Sequence, residues 1–289
     1  MVGARTKSGN TPLHFACARS TARNLAGRLV SLGGSILAPN DDGQTPLHVA
    51  AAHLLPAEVD NLLLVAKPRT VEVEDTGGCT PLHWAIQQST TCVGTCVALL
   101  CAGASANTPD ANGDTPLHYA AREGQFKLYN MLVEAGGDPD ARNSRGLAPI
   151  HVATEVDDDE FVAAYVTARE EKMPVTSRSG STLLHVAARN GAYAVARILL
   201  NFFGSNIVEV QDNYDQSPLV VAVANKNFRV AELLEQIGAE VPVDCRRVLQ
   251  VLRRNIRPFG SDSDSDVSES DVSDSDDASS FSFQFSIAA

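Results

Sequence analysis

One tetrapeptide recurs along this chain at a nearly constant interval. It reads Thr11-Pro12-Leu13-His14, Thr45-Pro46-Leu47-His48, Thr80-Pro81-Leu82-His83 and Thr115-Pro116-Leu117-His118. Degraded copies follow at Ala148-Pro149-Ile150-His151, Thr182-Leu183-Leu184-His185 and Ser217-Pro218-Leu219-Val220. Successive copies start 34, 35, 35, 33, 34 and 35 residues apart. A period in this range means stacked supersecondary units, each too small to bury its own apolar face.

The flanks repeat as well. Two residues before each copy stands Gly9, Gly43, Gly78, Gly113, Gly146 or Gly180, with Asp215 in the last. Five residues before it stands a polar side chain: Thr6, Asn40, Asp75, Asp110, Asn143, Ser177 or Asp212. A polar residue followed by glycine at that distance predicts a turn, because glycine takes a positive φ at little cost. Thr then caps a helix and Pro fills its first position, where no N–H is needed. Ala16, Ala50, Ala85, Ala120, Ala153, Ala187 and Ala222 sit further along this first helix, small enough for neighbouring helices to approach closely. A second apolar helix follows in each unit, at Leu29-Val30, Leu62-Leu63-Leu64, Leu99-Leu100, Met131-Leu132-Val133, Tyr165-Val166, Ile198-Leu199-Leu200 and Leu233-Leu234. Gly33, Gly103, Gly136, Gly204 and Gly238 end five of them as left-handed caps.

This pattern resembles the ankyrin repeat over roughly residues 5–243. The resemblance implies an all-α fold: antiparallel helix pairs stacked into a solenoid, with β-turn fingers along one edge. It divides residues 1–243 into repeats at about 6–39, 40–74, 75–109, 110–142, 143–176, 177–211 and 212–243. Repeats 2 and 5 depart from the family at Ala66-Lys67-Pro68 and Ala168-Arg169-Glu170, where no terminal glycine stands, and repeat 7 has lost Gly, Thr and His. The end of the stack needs a cover. Residues 244–257 supply a predicted capping helix, with Cys245, Val248, Leu249, Leu252 and Ile256 on one face and Arg246, Arg247, Arg253, Arg254 and Arg257 away from it. A nuclear-import signal is the alternative for that short, interrupted basic cluster.

Charge separates the rest. The net charge is −12, but residues 261–289 carry Asp262, Asp264, Asp266, Glu269, Asp271, Asp274, Asp276 and Asp277 with no Lys or Arg. Without them 27 acidic residues face 23 basic ones. Neither part has the clustered cations that nucleic-acid phosphates demand. No apolar run reaches membrane-spanning length, and Met1–Asn10 lacks the apolar core of a signal peptide. The six cysteines do not form the dense framework of a small secreted domain. A monomeric protein of the cytoplasm, the nucleus or both is expected, with reduced thiols and no cofactor.

Catalysis and metal binding find little footing. Asp75, Thr80 and His83 could be taken for an acid, a nucleophile and a base, yet near-copies occur in other repeats, where an enzyme needs one site. Hydrogen bonds stapling turn to helix explain them better. Cys92, Cys96 and Cys101 are the best metal candidates, but no CxxC pair exists and buried apolar thiols are the simpler reading. There is no phosphate-cradling glycine loop and no nucleophile elbow.

The ankyrin resemblance implies partner binding through the finger tips and the exposed side of the first helices. Matching first-helix positions hold Arg19, His53, Gln87, Gln88, Arg122, Glu123, Glu155, Arg189 and Asn190. Matching finger positions hold Lys7, Asp41, Asp42, Gln44, Asp114, Arg145, Arg178 and Tyr214. Aromatic and Arg side chains dominate interface hot spots. The expected patch is therefore centred on Trp84, Gln87, Gln88, Tyr119, Arg122 and Glu123, with inter-repeat packing as the competing role for Trp84 and Tyr119.

Residues 258–289 are expected to be a disordered acidic tail, since alternating Ser and Asp or Glu offers almost nothing to bury. Ser261, Ser263, Ser268 and Ser273 each precede an acid by three residues, which resembles sites for acidophilic kinases of the casein kinase II type. Phe281, Phe283 and Phe285 alternate, as in a short motif for a partner groove. The sum is a non-enzymatic adaptor or regulatory scaffold for protein partners. Two alternatives rest on likeness of layout: a masking inhibitor, broadly similar to the inhibitors of NF-κB, and a proteasome-assembly chaperone similar to gankyrin.

Overall fold

The computed structural model describes residues 2–19, 25–53, 56–64, 70–88, 93–168 and 177–255. Among them the chain forms fifteen α-helices and no strand. They come in seven pairs: α1 (Pro12–Cys17) with α2 (Leu25–Ser31), α3 (Pro46–Ala52) with α4 (Pro56–Leu63), α5 (Pro81–Gln87) with α6 (Val93–Cys101), α7 (Pro116–Arg122) with α8 (Phe126–Glu134), α9 (Pro149–Glu155) with α10 (Asp159–Ala168), α11 (Leu183–Asn190) with α12 (Tyr193–Phe203), and α13 (Pro218–Ala224) with α14 (Phe228–Ile237). The last helix, α15 (Val243–Asn255), stands alone. Ala66-Lys67-Pro68, Arg169-Glu170 and the tail bear on several expectations above. Of these, residues 65–69, 169–176 and 256–289 lie outside the described residues, and with them Cys92, the four tail serines and the three tail phenylalanines.

Helix packing is one-dimensional. First helices pack in the series α1, α3, α5, α7, α9, α11, α13, each against the next, and second helices pack in two runs, α2 to α4 to α6 and α8 to α10 to α12 to α14. Each first helix also packs on the second helix of its own repeat. The motif Leu or Ile of every repeat and all seven alanines of the first helices are buried at 4% exposure or less, so the close approach that their size permits is used. The second helices add Val59, Leu62, Cys96, Leu99, Leu128, Leu132, Val162, Val195, Leu199, Val230 and Leu234. One feature escaped composition. Few as they are, four aromatics cluster between α8 and α10, where the Phe161 ring meets Phe126 and Tyr129 edge-on at 5.3 Å and Tyr129 meets Tyr165 at 6.1 Å. Such geometry adds to the area that the rings bury.

The helix ends follow the sequence closely except at Gly204, expected as a left-handed cap, which ends α12 at φ 66° and ψ −154° and leads into a 3-10 turn over Gly204–Ile207. Thr11, Thr45, Thr80, Thr115 and Thr182 are extended N-cap residues. Gly33, Gly103, Gly136 and Gly238 end second helices at φ of 90° to 103°, where an L side chain is strained. The cap α15 lies on α13, burying Cys245 and Leu249 while Arg246 and Arg247 stay exposed. Arg246 Nε donates to the Val241 carbonyl at 3.0 Å, which ties the cap to the loop before it.

Candidate functional site

Each finger is held open by one side chain. Asp75 Oδ1 accepts the backbone N–H groups of Gly77 and Cys79, both at 2.9 Å. Asp110 does the same for Asn112 and Asp114, Asn143 for Arg145 and Leu147, and Asp212 for Tyr214 and Gln216. Asn40 does so for Asp42 and Gln44. The polar position five residues before the motif is therefore the frame of the turn. Adjacent fingers are then stitched backbone to backbone: Thr76 N donates to Asp42 O at 3.0 Å, Ala111 N to Gly77 O at 2.9 Å and Ser144 N to Asn112 O at 2.9 Å. The glycine of the finger is needed for this stitching. A Cβ on Gly78, at φ +75°, would lie 2.7 Å from the Ala111 nitrogen, a clash with backbone that cannot move aside.

The motif histidines bridge each repeat to the next. His14 Nδ1 accepts the Thr11 N–H at 3.1 Å, and His48, His83, His118 and His185 repeat the contact. On the other side of the ring, Nε2 faces a carbonyl of the following finger: Gln44 from His14, Cys79 from His48, Leu147 from His118 and Gln216 from His185, at 2.9 to 3.0 Å. A carbonyl can only accept, so Nε2 carries the proton and the ring is neutral. His83 keeps the register toward the Asp114 carbonyl, but the contact is too loose to satisfy its buried Nε2. Burial lowers the pKa of His14, His48, His118 and His185, and takes His83 down to about 4. These are bracing groups, and the Asp75, Thr80 and His83 set is divided among a turn frame, a cap and a bridge.

The aromatic residues after the motif histidine turn out to complete the frame. Trp84 Nε1 donates to Asp75 Oδ2 at 2.8 Å, and the Tyr119 hydroxyl donates to Asp110 Oδ2 at 2.9 Å. Tyr119 is only 5% exposed, its ring meets His83 edge-on at 5.0 Å, and its hydroxyl lies 3.4 Å from Cys79 Sγ. Burial drives the tyrosine pKa far upward and raises that of the Cys79 thiol. Tyr119 is thus placed in inter-repeat packing rather than on the open surface, because its donor is required inside. Trp84 is half-buried and keeps part of its ring accessible.

The other residues of the expected patch divide in the same way. Gln87, Gln88 and Glu123 are exposed at the ends of α5 and α7. Arg122 is half-exposed; its guanidinium meets Asp114 Oδ2 at 2.5 Å and lies 5.2 Å from the Tyr119 ring centre. Asp114 was expected on a finger tip and is instead buried, at 4% exposure. Burial pushes its carboxyl up, but hydrogen bonds from Arg122 and Asn143 outweigh that and hold it below its ordinary value. Arg145 and Glu155 form a bidentate pair at 2.9 and 2.8 Å that links a finger to α9. Arg19, His53, Arg189 and Asn190 are exposed at equivalent ends of α1, α3 and α11, and Tyr214 stands 58% exposed on the last finger. These exposed side chains stand at equivalent positions of successive repeats, and the contact that joins repeats 3 and 4 runs through Tyr119, which meets His83 and Cys79.

Two kinds of bridge were not among the sequence expectations. Gln125 Nε2 and Asn227 Nδ2 each reach back to the end of the preceding first helix, to Ile86 O at 3.1 Å and Ala188 O at 2.9 Å. Glu72 Oε1 and Oε2 accept from Ser105 N and Thr108 Oγ1, both at 2.7 Å. Spacing within a repeat could have found the first pair, since both residues directly precede a second helix. Of the cysteine candidates, Cys96 is buried and Cys101 is exposed, so the two sulfurs of α6 do not share a face. Among the described residues no group of three His, Cys, Asp or Glu side chains could hold a metal ion.

Comparison with known proteins agrees with this geometry. A family model described as ankyrin repeats (3 copies) matches residues 57–143 and 150–244. The mouse B-cell lymphoma 3 protein homolog is 32% identical over 117 residues. That match covers 39% of this chain and 26% of the relative, so it spans about a quarter of the relative's length.

Proposed function

Because the chain belongs to the ankyrin repeat family, whose repeats serve as protein–protein interaction modules, we propose that it is a non-enzymatic adaptor or regulatory scaffold. In this reading it grips a folded protein partner along the edge formed by its fingers and first-helix ends. The observation that carries the proposal is a division of labour. Inward and lateral polar groups of the fingers are consumed by bracing, whereas the last turns of the first helices present Arg19, His53, Gln87, Gln88, Glu123, Arg189 and Asn190 to solvent in every described repeat they belong to. A rigid row of this kind needs no reordering on contact, which lowers the cost of association.

The contact is centred on repeats 3 and 4. There the half-buried Trp84 is followed one helical turn later by the exposed Gln87 and Gln88, and Arg122 is held in place by Asp114 and Tyr119. Arg19, His53 and Arg189 extend it toward both ends. Aromatic and Arg anchors set by their neighbours are the usual energetic centre of such surfaces. Trp84 and Arg122 also brace the fold, so a clean test uses the exposed neighbours. The triple change Gln87→Ala, Gln88→Ala and Glu123→Ala in the full chain should reduce recovery of captured partners severalfold and leave the melting temperature within about 2 °C. Undiminished recovery with an unchanged melting curve would move the contact elsewhere. Scaffold and masking inhibitor separate on whether the recovered partner loses activity when bound. Phosphorylation of Ser261, Ser263, Ser268 and Ser273 would add negative charge to the tail and is part of the regulatory reading.

A further inference from the structure

The cations of this chain are as segregated as its acids. Residues 1–40 contain Arg5, Lys7, Arg19, Arg23 and Arg28 and no Asp or Glu at all. Residues 261–289 contain eight acids and no cation. The first repeat also has an open face. A groove of about 700 Å³ is lined by Pro12, Phe15, Leu25 and Leu29 together with Arg5 and Arg19. Phe15 is 49% exposed, whereas Val152, Val186 and Val221 in the same slot of repeats 5, 6 and 7 are buried. An apolar trough with only cations among its charged lining suits a peptide that carries aromatic side chains beside carboxylates.

The chain holds one such peptide. Phe281, Phe283 and Phe285 follow directly on the run from Asp262 to Asp277. The reach is sufficient. From α1 to α13 the first helices are six packing steps apart, about 50–60 Å at the usual interaxial distance. The stretch from Asn255 to Phe281 can span up to about 90 Å when extended. We propose that residues 281–287 of the same chain dock in the groove of the first repeat, with the acidic run facing its cations. The nearer basic surface, at Arg246 and Arg247 of α15, is the competing site; there Cys245 and Leu249 are buried, Val248 is half-buried and Val243 is exposed. Docking would tie the two ends of the stack together, and phosphates at the tail serines would strengthen the electrostatic part of the contact.

The test places a photoreactive benzoylphenylalanine at Phe283 in the full chain. An equal mixture of isotopically heavy and light copies is irradiated, and the linked peptides are mapped by mass spectrometry. The expected result is links within one copy, from residue 283 to residues 4–29. Their yield should fall at least roughly fivefold, the effect of about 1 kcal/mol, in Arg19→Glu and in Phe15→Ser proteins whose melting curves are retained. Should either variant fail to fold, Asp276→Lys with Asp277→Lys, in the tail itself, must give the same loss. Links that join heavy to light copies, links to residues 246–250, or a yield indifferent to these changes would overturn the proposal.

Discussion

Repeats 3 and 4 and repeat 7 begin with the same carboxylate and treat it differently. Asp75 and Asp110 give one oxygen to two backbone N–H groups and the other to Trp84 or Tyr119. Asp212 makes the same two backbone contacts, but Val221 stands where the aromatic donor would be, and Oδ2 is buried without a partner. Where a finger begins with Asn, the slot nine residues on is also valine, and no donor is missing. Asn143 Nδ2 turns to Asp114 Oδ1 at 2.7 Å, with Val152 in the slot, and Asn40 Nδ2 turns to Asn10 Oδ1 at 3.1 Å, with Val49 there. The finger residue and the slot residue are thus coupled: a carboxylate calls for a ring donor, an amide for an aliphatic. Repeat 7 breaks the rule and carries two further strains, Asp215 at φ 56° in the place of the finger glycine and Lys226 at φ 61° in the place that Gly124 and Gly191 hold in repeats 4 and 6.

Acid should expose the contrast most strongly. The bridging histidines have folded pKa values below the unfolded value of about 6.5, chiefly because burial disfavours the charged ring. The unfolded chain therefore binds more protons in this range, so stability is present above pH 6.5 and is lost as pH falls toward 4. His83 alone should contribute a loss of about 2 kcal/mol at pH 5. Amide exchange at pH 7 and pH 5 should show protection falling first across repeats 1 to 4 and 6. Repeat 7, with Val220 in the histidine's place, should lose protection only through its neighbours. Uniform or absent change would refute the neutral-bridge reading.

Next in size is removal of one donor from the braced side. Tyr119→Phe leaves the ring packing intact and removes the short donor to Asp110 Oδ2, which keeps only the 3.4 Å contact from Asn112 Nδ2, so repeat 4 comes close to repeat 7. A loss of about 2 kcal/mol in chemical denaturation is expected, typical of a buried charged acceptor without its partner. A smaller effect, near zero, would mean that water reaches the carboxylate. The converse change repairs repeat 7. Asp212→Asn keeps the acceptor for the turn and presents an amide toward the Ser181 side of the preceding finger, as Asn143 does toward Asp114. It should raise stability by about 1 kcal/mol. Smallest is Lys226→Gly, which relieves a left-handed residue at the cost of freedom in the unfolded chain and should add about 0.5 kcal/mol. A melting temperature that drops in either repair would show that repeat 7 needs its irregularities.

Much of this is legible in the amino-acid sequence. The period, the turn frame from Asn40 to Asp212, the N-cap threonines and the terminal glycines follow from chemistry within ten residues, where spacing fixes which groups meet. The exposed helix ends, such as Gln87, Gln88 and Arg189, were legible for the same reason. The roles of Trp84, Tyr119 and Asp114 were not. An aromatic beside a motif histidine can face outward or inward, and the choice depends on whether the carboxylate nine residues earlier in the same repeat still lacks a donor once the neighbouring finger has covered it.

The sequence by itself determined that the chain is a series of helix pairs with polar-framed turns, because each local interaction closes over a short stretch of backbone. Tertiary structure decided which polar side chains remain for a partner. That outcome depends on desolvation between repeats: once the fingers are stitched together, a buried carboxylate oxygen must be satisfied by a nearby donor, and the side chain that supplies the hydrogen is drawn wholly or partly out of the surface.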